Sequence, residues 1–204
     1  MRPCLVTCGA TRNPVDAMRF LSARSSGRSG IWLADRLPDA QLLAGAEAHL
    51  RAGPRPDLEE FGSTRDLLER MERWIKANPT AVIVHAAAVG DYAVEDPSGK
   101  IPSGQPELVL RLRPTPKILD RIHGWAPEAR IVSFKAAPPD TRREELVRLA
   151  DAQRVRTHSE VVFANVLEEL DIVAIVDARG AQHFEKRAPA LEALLARIRS
   201  LRES

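Results

Sequence analysis

The strongest constraint on this chain is a set of short runs that are apolar almost residue by residue. They are "CLVTCG" (Cys4–Gly9), "AQLLAG" (Ala40–Gly45), the front of "TAVIVHAAAVGDYAV" (Thr80–Val94), the strand-like part of "ARIVSFKAAPPD" (Ala129–Asp140), and "SEVVFANVL". A strand with one wet face alternates apolar and polar residues. A strand apolar throughout must be covered on both faces, as in a parallel sheet between helix layers. Amphipathic segments fill the intervals. "SGRSGIWLADRL" (Ser26–Leu37) turns Ile31, Leu33, Ala34 and Leu37 inward. "STRDLLERMERWIKAN" (Ser63–Asn78) opens on capping residues and spaces Leu67, Leu68, Met71 and Ile75 helically. "TRREELVRLADAQRV" and "APALEALLARIRSL" read as further helices. Strands alternating with helices predict an α/β fold with a mostly parallel sheet.

Other stretches depart from that rhythm. "HLRAGPRPDLEEFG" is a polar stretch rich in proline and arginine, and "TPKILDRIHGWAP" reads as a short helix with proline at its start. "GKIPSGQPELVLRLRPTP" (Gly99–Pro116) sets Leu108, Leu110 and Leu112 against Val109, Arg111 and Arg113, the pattern of an exposed strand or hairpin arm. "LDIVAIVDARGAQHFEK" predicts a hairpin turning near Arg179–Gly180. With 204 residues and no internal repeat or low-complexity linker, residues 1–204 are expected to form a single domain.

A net charge of +2 argues against a broad nucleic-acid surface, and no apolar run approaches the roughly 20 residues of a membrane span. "MRPCLVTCG" lacks a signal-peptide apolar region and cleavage site. Cys4 and Cys8 fall in one expected strand, roughly 13 Å apart, too far for a disulfide. Reduced thiols and a cytoplasmic location follow as expectations. His49, His85, His123, His158 and His183 are scattered, so no protein-built metal site is expected.

The chemistry-bearing residues stand at strand ends. In "RFLSARSSGRSG" (Arg19–Gly30), Ser25, Ser26 and Gly27 precede a predicted helix, where amides and hydroxyls suit a phosphate. The stretch lacks the lysine-serine ending of a P-loop and the spacing of a dinucleotide fingerprint. Helix capping by the two serines is an equally weighted reading. In "HAAAVGDY" the alanines leave room beside the backbone for a flat group. Asp91 could bind a ribose hydroxyl, a base amino group or a metal, or simply start a turn. Lys100, in "GKIPSG", could close over a triphosphate or stay solvated. Phe134 could stack on a base or belong to the core, and Lys135 could meet a phosphate. Asn165 ends another strand.

In this order, "TRNPVDAMRFLSARSSGRSG", "AAAVGDY", "GKI", "SFK" and "VVFANV" closely resemble the phosphopantothenoylcysteine synthetase family of coenzyme A biosynthesis, over nearly the whole chain. "WAPEARIVSFK" is more similar to the stand-alone animal enzymes than to bacterial two-domain fusions, so no flavin-binding decarboxylase domain is expected. The resemblance implies a Rossmann-like fold with an antiparallel arm used in homodimerisation and a flexible lid. It implies a ligase that joins 4′-phosphopantothenate to cysteine through an acyl-nucleotide made from ATP or CTP, with Mg2+. It implies substrate binding by Arg19, Ser25, Ser26, Gly27, Ala88 and Asn165, and nucleotide binding by Gly9, Ala87, Asp91, Lys100, Phe134 and Lys135. Lys100 is also the implied catalytic residue.

The chain departs from the family pattern at three places. Ala23 stands where the family has a loop asparagine, a role that Asn13 or Arg24 could take over. Pro138–Pro139 replaces a glutamate-threonine pair. Gln153 and Thr157 stand where CTP-using bacterial members carry lysines, which leans the nucleotide towards ATP. One alternative is a paralogue that binds nucleotide without this catalysis or activates a different carboxylate. A nicotinamide-dependent oxidoreductase is disfavoured by the missing glycine fingerprint and by the lack of an acid ending the second strand.

Overall fold

In a computed structural model, which describes residues 1–95, 99–104, 106–169 and 171–204, the apolar runs become the central strands of one sheet. The strands are β1 (Cys4–Cys8), β2 (Arg12–Pro14), β3 (Phe20–Ser22), β4 (Ala40–Gly45), β5 (Leu58–Phe61), β6 (Val82–His85), β7 (Tyr92–Val94), β8 (Leu112–Pro114), β9 (Arg130–Ala137), β10 (Val161–Val166), β11 (Val173–Asp177) and β12 (Gly180–Phe184). The helices are α1 (Arg28–Ala34), α2 (Ala46–Ala52), α3 (Thr64–Ala77), α4 (Ile122–Trp125), α5 (Arg143–Thr157) and α6 (Arg187–Glu203). A 3-10 turn over Ile118–Arg121 leads into α4. Gln105 of the expected arm and Leu170 of the expected hairpin lie outside the described residues.

The eight-stranded sheet runs β12-β11-β10-β9-β6-β1-β4-β5. Every neighbouring pair is parallel except β10–β11 and β11–β12, the hairpin expected near Arg179–Gly180. This is the Rossmann-like arrangement, with antiparallel hairpins attached. Alternate residues of each central strand feed opposite layers. Cys4, Val6 and Cys8 pack with Leu33, Leu37 and the α6 residues Leu191, Leu194 and Ile198. Leu5, Ile83 and Ile131 face Leu67, Met71 and Ile75 of α3. Beside them, Leu146 and Ala150 of α5 cover Val162 and Ala164.

Burial on both sides also fixes the thiols. Cys4 and Cys8 are free, buried, and pushed up to about 12 by desolvation. Helix α3 begins as its sequence predicts, with the Ser63 side chain accepting the Asp66 amide hydrogen bond at 3.2 Å.

The polar stretch 49–62 holds the end of α2 and all of β5, with Phe61 buried. Two expectations need correction. The helix expected over Ser26–Leu37 spans only Arg28–Ala34. Gly27 has φ of 71° and cannot continue it backwards. Pro38 disfavours helical geometry at Leu37, and Asp39, at φ of 60°, turns the chain away. The arm is present but shorter than its sequence pattern. Only Leu112–Pro114 pairs, antiparallel with Tyr92–Val94, while Leu108 and Val109 are exposed outside any strand.

Candidate functional site

From β1 the chain crosses to β4 and β5 on one side, then returns to build β6, β9 and β10 on the other. The loops leaving β1 and β6 therefore diverge at neighbouring strand ends, the switch point where open α/β sheets hold ligands. The two strands stay paired past their formal ends. Ala88 donates to the Gly9 carbonyl at 2.8 Å, and Thr11 to the Ala88 carbonyl at 3.1 Å. Beside this junction opens a cleft of about 1050 Å³, walled by residues 23–30, the end of β6, the turn before α4, and the ends of β9 and β10.

The cleft gathers Ser25, Ser26, Gly27, Ala87, Ala88, Asp91, Phe134, Lys135 and Asn165 from segments far apart in sequence. Neither serine caps α1: the N-cap is Gly27, and no side chain makes a capping hydrogen bond there. With a helix of only seven residues, the electrostatics of this wall rest on side chains rather than on a long dipole. Gly27 is required for packing. A Cβ there would lie 2.4 Å from the Ala48 Cβ and 3.1 Å from the Gly9 nitrogen.

The remaining predicted site residues lie elsewhere. Gly9 (φ 80°) is wedged beneath Ala48 and Gly45, so it serves close backbone approach and does not line the cleft. Arg19 lines a separate depression of about 360 Å³ with Arg12, Asp16, Phe20 and Ser63. Lys100 does not line the cleft and belongs to a segment fastened to that same corner. Gly99 accepts from the Ala17 amide at 2.8 Å, and Ile101 accepts from Arg19 Nη2 at 3.1 Å. Asp16 joins the two segments. Its carboxylate takes the amides of Met18 (2.9 Å) and Arg19 (2.7 Å) on one oxygen and that of Ile101 (3.0 Å) on the other. The Ile101 and Met18 amides are the main reason its pKa lies below the usual carboxylate value. Asn13, considered as a substitute for the missing loop asparagine, is committed to the scaffold. Its Oδ1 accepts from the Thr64 amide at 2.8 Å and its Nδ2 donates to the Tyr92 carbonyl at 3.0 Å. Ala23 and Arg24 both line the cleft.

Several cleft groups carried no sequence signal. Lys117 Nζ holds Asp91 at 2.6 Å. Arg28 and Arg187 add positive charge, and Arg156 pairs with Asp120. His85, at the end of β6, stays neutral because burial pushes it down to about 4. Phe134 and Phe163 stack with centroids 4.9 Å apart. The two positions where lysines are replaced are internally satisfied. Gln153 donates to Ser133 Oγ (3.0 Å) and to the Phe134 carbonyl (3.1 Å), and Thr157 bonds the Gln153 carbonyl (2.8 Å) and Ser159 Oγ (2.7 Å). Among the described residues, no group of three or more metal-ligating side chains is assembled. No helix among them is long and apolar enough to cross a membrane.

A family model described as the DNA/pantothenate metabolism flavoprotein C-terminal domain matches residues 2–191. The chain belongs to that family. The flavoprotein C-terminal domain family is the one that the sequence motifs resemble through phosphopantothenoylcysteine synthetases. Among similar curated proteins, the coenzyme A biosynthesis bifunctional protein CoaBC of Thermococcus kodakarensis is 36% identical over 199 residues, covering 92% of this chain and 47% of that protein. The CoaBC protein of Mycobacterium tuberculosis is 33% identical over 181 residues, covering 82% and 42%. The chain thus spans about half the length of these relatives. Among solved structures, the DNA/pantothenate metabolism flavoprotein from Streptococcus pneumoniae has a TM-score of 0.86 at 24% identity, covering 98% of this chain and 99% of that one. The C-terminal domain of a CoaBC protein has a TM-score of 0.74 at 22% identity, covering 99% and 96%. At these identities, the structural matches show that this member shares the fold.

Proposed function

We propose that this chain is a phosphopantothenate–cysteine ligase acting in coenzyme A biosynthesis in the cytoplasm. The 4′-phosphopantothenate carboxylate attacks the α-phosphorus of a nucleoside triphosphate. The bond to pyrophosphate breaks and an acyl-nucleotide forms. The cysteine amine then attacks the acyl carbon, the nucleotide leaves with the C–O electron pair, and the amine gives up a proton as the amide forms.

One observation carries this reading. The cleft at the switch point presents Arg24, Arg28, Lys117, Lys135, Arg156 and Arg187 against the acids Asp91 and Glu168. Such a surplus of cations suits two phosphorylated ligands whose negative charges must be brought together. Family membership supports 4′-phosphopantothenate as the acid and cysteine as the amine. In this reading Ser25, Ser26, Gly27, Ala88 and Asn165 hold the substrate. Ala87, Asp91, Phe134 and Lys135 hold the nucleotide.

The internal hydrogen bonds of Gln153 and Thr157 support ATP as the nucleotide, since neither presents the cation of a CTP-reading lysine. Among the described residues the carboxylates do not form a cage for Mg2+, so an ion arriving with the triphosphate would be held by its phosphate oxygens. Arg19 and Lys100, lying apart from the cleft, fit a homodimer in which the corner and arm of one subunit complete the site of the other.

Sustained pyrophosphate release that requires both 4′-phosphopantothenate and cysteine, measured with ATP and CTP in parallel, tests the reading. A folded protein that turns over with neither nucleotide overturns it. Ala23, which puts no donor on the cleft wall, favours one other reading, a paralogue that binds nucleotide without this catalysis. Calorimetric nucleotide binding without substrate-dependent turnover would select it.

A further inference from the structure

Among the described residues, Arg187 has no counter-charge. It opens α6, lines the cleft, and is half-buried with its guanidinium 5.0 Å over the Phe163 ring. Two of its nitrogens, Nε at 3.2 Å and Nη2 at 3.0 Å, share a single acceptor, the Ser29 hydroxyl. No other hydrogen-bond acceptor and no carboxylate among the described residues pairs with it.

Other arginines in this chain behave differently. Arg55 is held by Asp57 and Asp35, Arg70 by Asp66 and Glu59, and Arg148 by Glu145. Those carboxylates raise each guanidinium's pKa. At Arg187 desolvation lowers it, the direction expected of a cation that has lost water and gained no anion. Removing a guanidinium from water without pairing it is costly, and such a group is retained where a ligand supplies the missing charge. Its planar fork matches phosphoryl oxygens, and Nη1 carries no partner among the described residues.

We propose that Arg187, steadied by Ser29 and Phe163, is a phosphoryl-anion seat of the cleft. Neither the sequence motifs nor the comparisons assign it a role. The choice of a phosphoryl group over a carboxylate rests on the ligase reading. The phosphoryl group belongs either to the acid substrate or to the nucleotide.

Titration calorimetry of the whole chain with inorganic pyrophosphate, ATP and 4′-phosphopantothenate, each alone, distinguishes the sources. Arg187→Gln is expected to weaken binding of the seated anion by about tenfold or more, and Arg187→Lys to recover part of the loss. Ser29→Ala should weaken it by a smaller factor. The Tm of the free Arg187→Gln chain should hold or rise, because an uncompensated cation has been removed. Arg187→Met, which keeps an unbranched side chain of similar length without the charge, provides the same comparison should the glutamine variant fold poorly.

A loss confined to 4′-phosphopantothenate places the substrate phosphate in the seat. A loss shared by pyrophosphate and ATP places the polyphosphate there. Unchanged affinity for all the probes overturns the proposal, as does a fall in Tm with binding intact. If the native chain binds these anions through Arg187 yet never releases pyrophosphate, the seat stands and the ligase reading falls.

Discussion

Thr7 Oγ1 and His85 Nδ1 lie 2.8 Å apart on adjacent strands, where β1 and β6 run into the cleft. The same hydroxyl accepts the Ala87 amide at 3.3 Å, so its own proton is free for the imidazole. When the hydroxyl donates to Nδ1, the imidazole proton sits on Nε2. Burial favours that neutral ring and lowers its pKa from 6.5 to about 4.

Acid should therefore weaken the fold through His85. Between those two values the unfolded chain binds a proton that the folded chain refuses, so stability rises with pH across that window. The contribution is fully present above about 6.5 and drains as pH falls through about 4, a span on the order of 3 kcal/mol. Urea denaturation from pH 7 to pH 4 measures it, and His85→Gln should flatten the profile. An unchanged slope in that variant would remove His85 as the cause.

Gly27→Ala should destabilise the chain by roughly 2–4 kcal/mol, from the left-handed backbone and the collision with Ala48. Chemical denaturation reads the loss. Gly27→Ala in an Ala48→Gly background should recover the part due to the collision and keep the part due to φ.

Ala23→Asn restores a side-chain donor to the cleft wall. Under the ligase reading it raises turnover, by up to on the order of 10²–10³-fold, the effect of one well-placed donor. Steady-state pyrophosphate release checks it. No gain would mean that this wall has been rebuilt for other chemistry.

Lys100→Gln should lower turnover by about tenfold or more while changing stability by less than about 0.5 kcal/mol, because its side chain is exposed. Paired kinetic and thermal measurements separate these effects. Equal damage to both would make Lys100 a structural residue.

Thiol reagents at pH 8 should leave Cys4 and Cys8 unmodified in the native chain and label both in denaturant, since burial holds each near 12. Mass spectrometry of the labelled chain reads the outcome.

The sheet was legible because burial on both faces writes itself into nearly every residue of β1, β4, β6 and β10. Helix α3 was legible because its cap and its apolar stripe agree. β5 was not, since only Phe61 is buried in a segment whose neighbours Glu59 and Glu60 are exposed, and α2 is too short for a clear period. For the cleft, residues in continuous motifs, such as Ser26 and Ala88, could be found from the chain alone. Lys117 and Arg187 could not, because their partners Asp91 and Ser29 lie 26 and 158 positions away. Gly9 reads two ways for a related reason. A glycine needed where two backbones touch looks, in sequence, like one needed beside a ligand.

Asp16 rivets together two stretches of chain 85 positions apart. The lysine loop and the Arg19 corner are therefore fastened to each other, so a substitution at Asp16 would be felt at Lys100 without touching it.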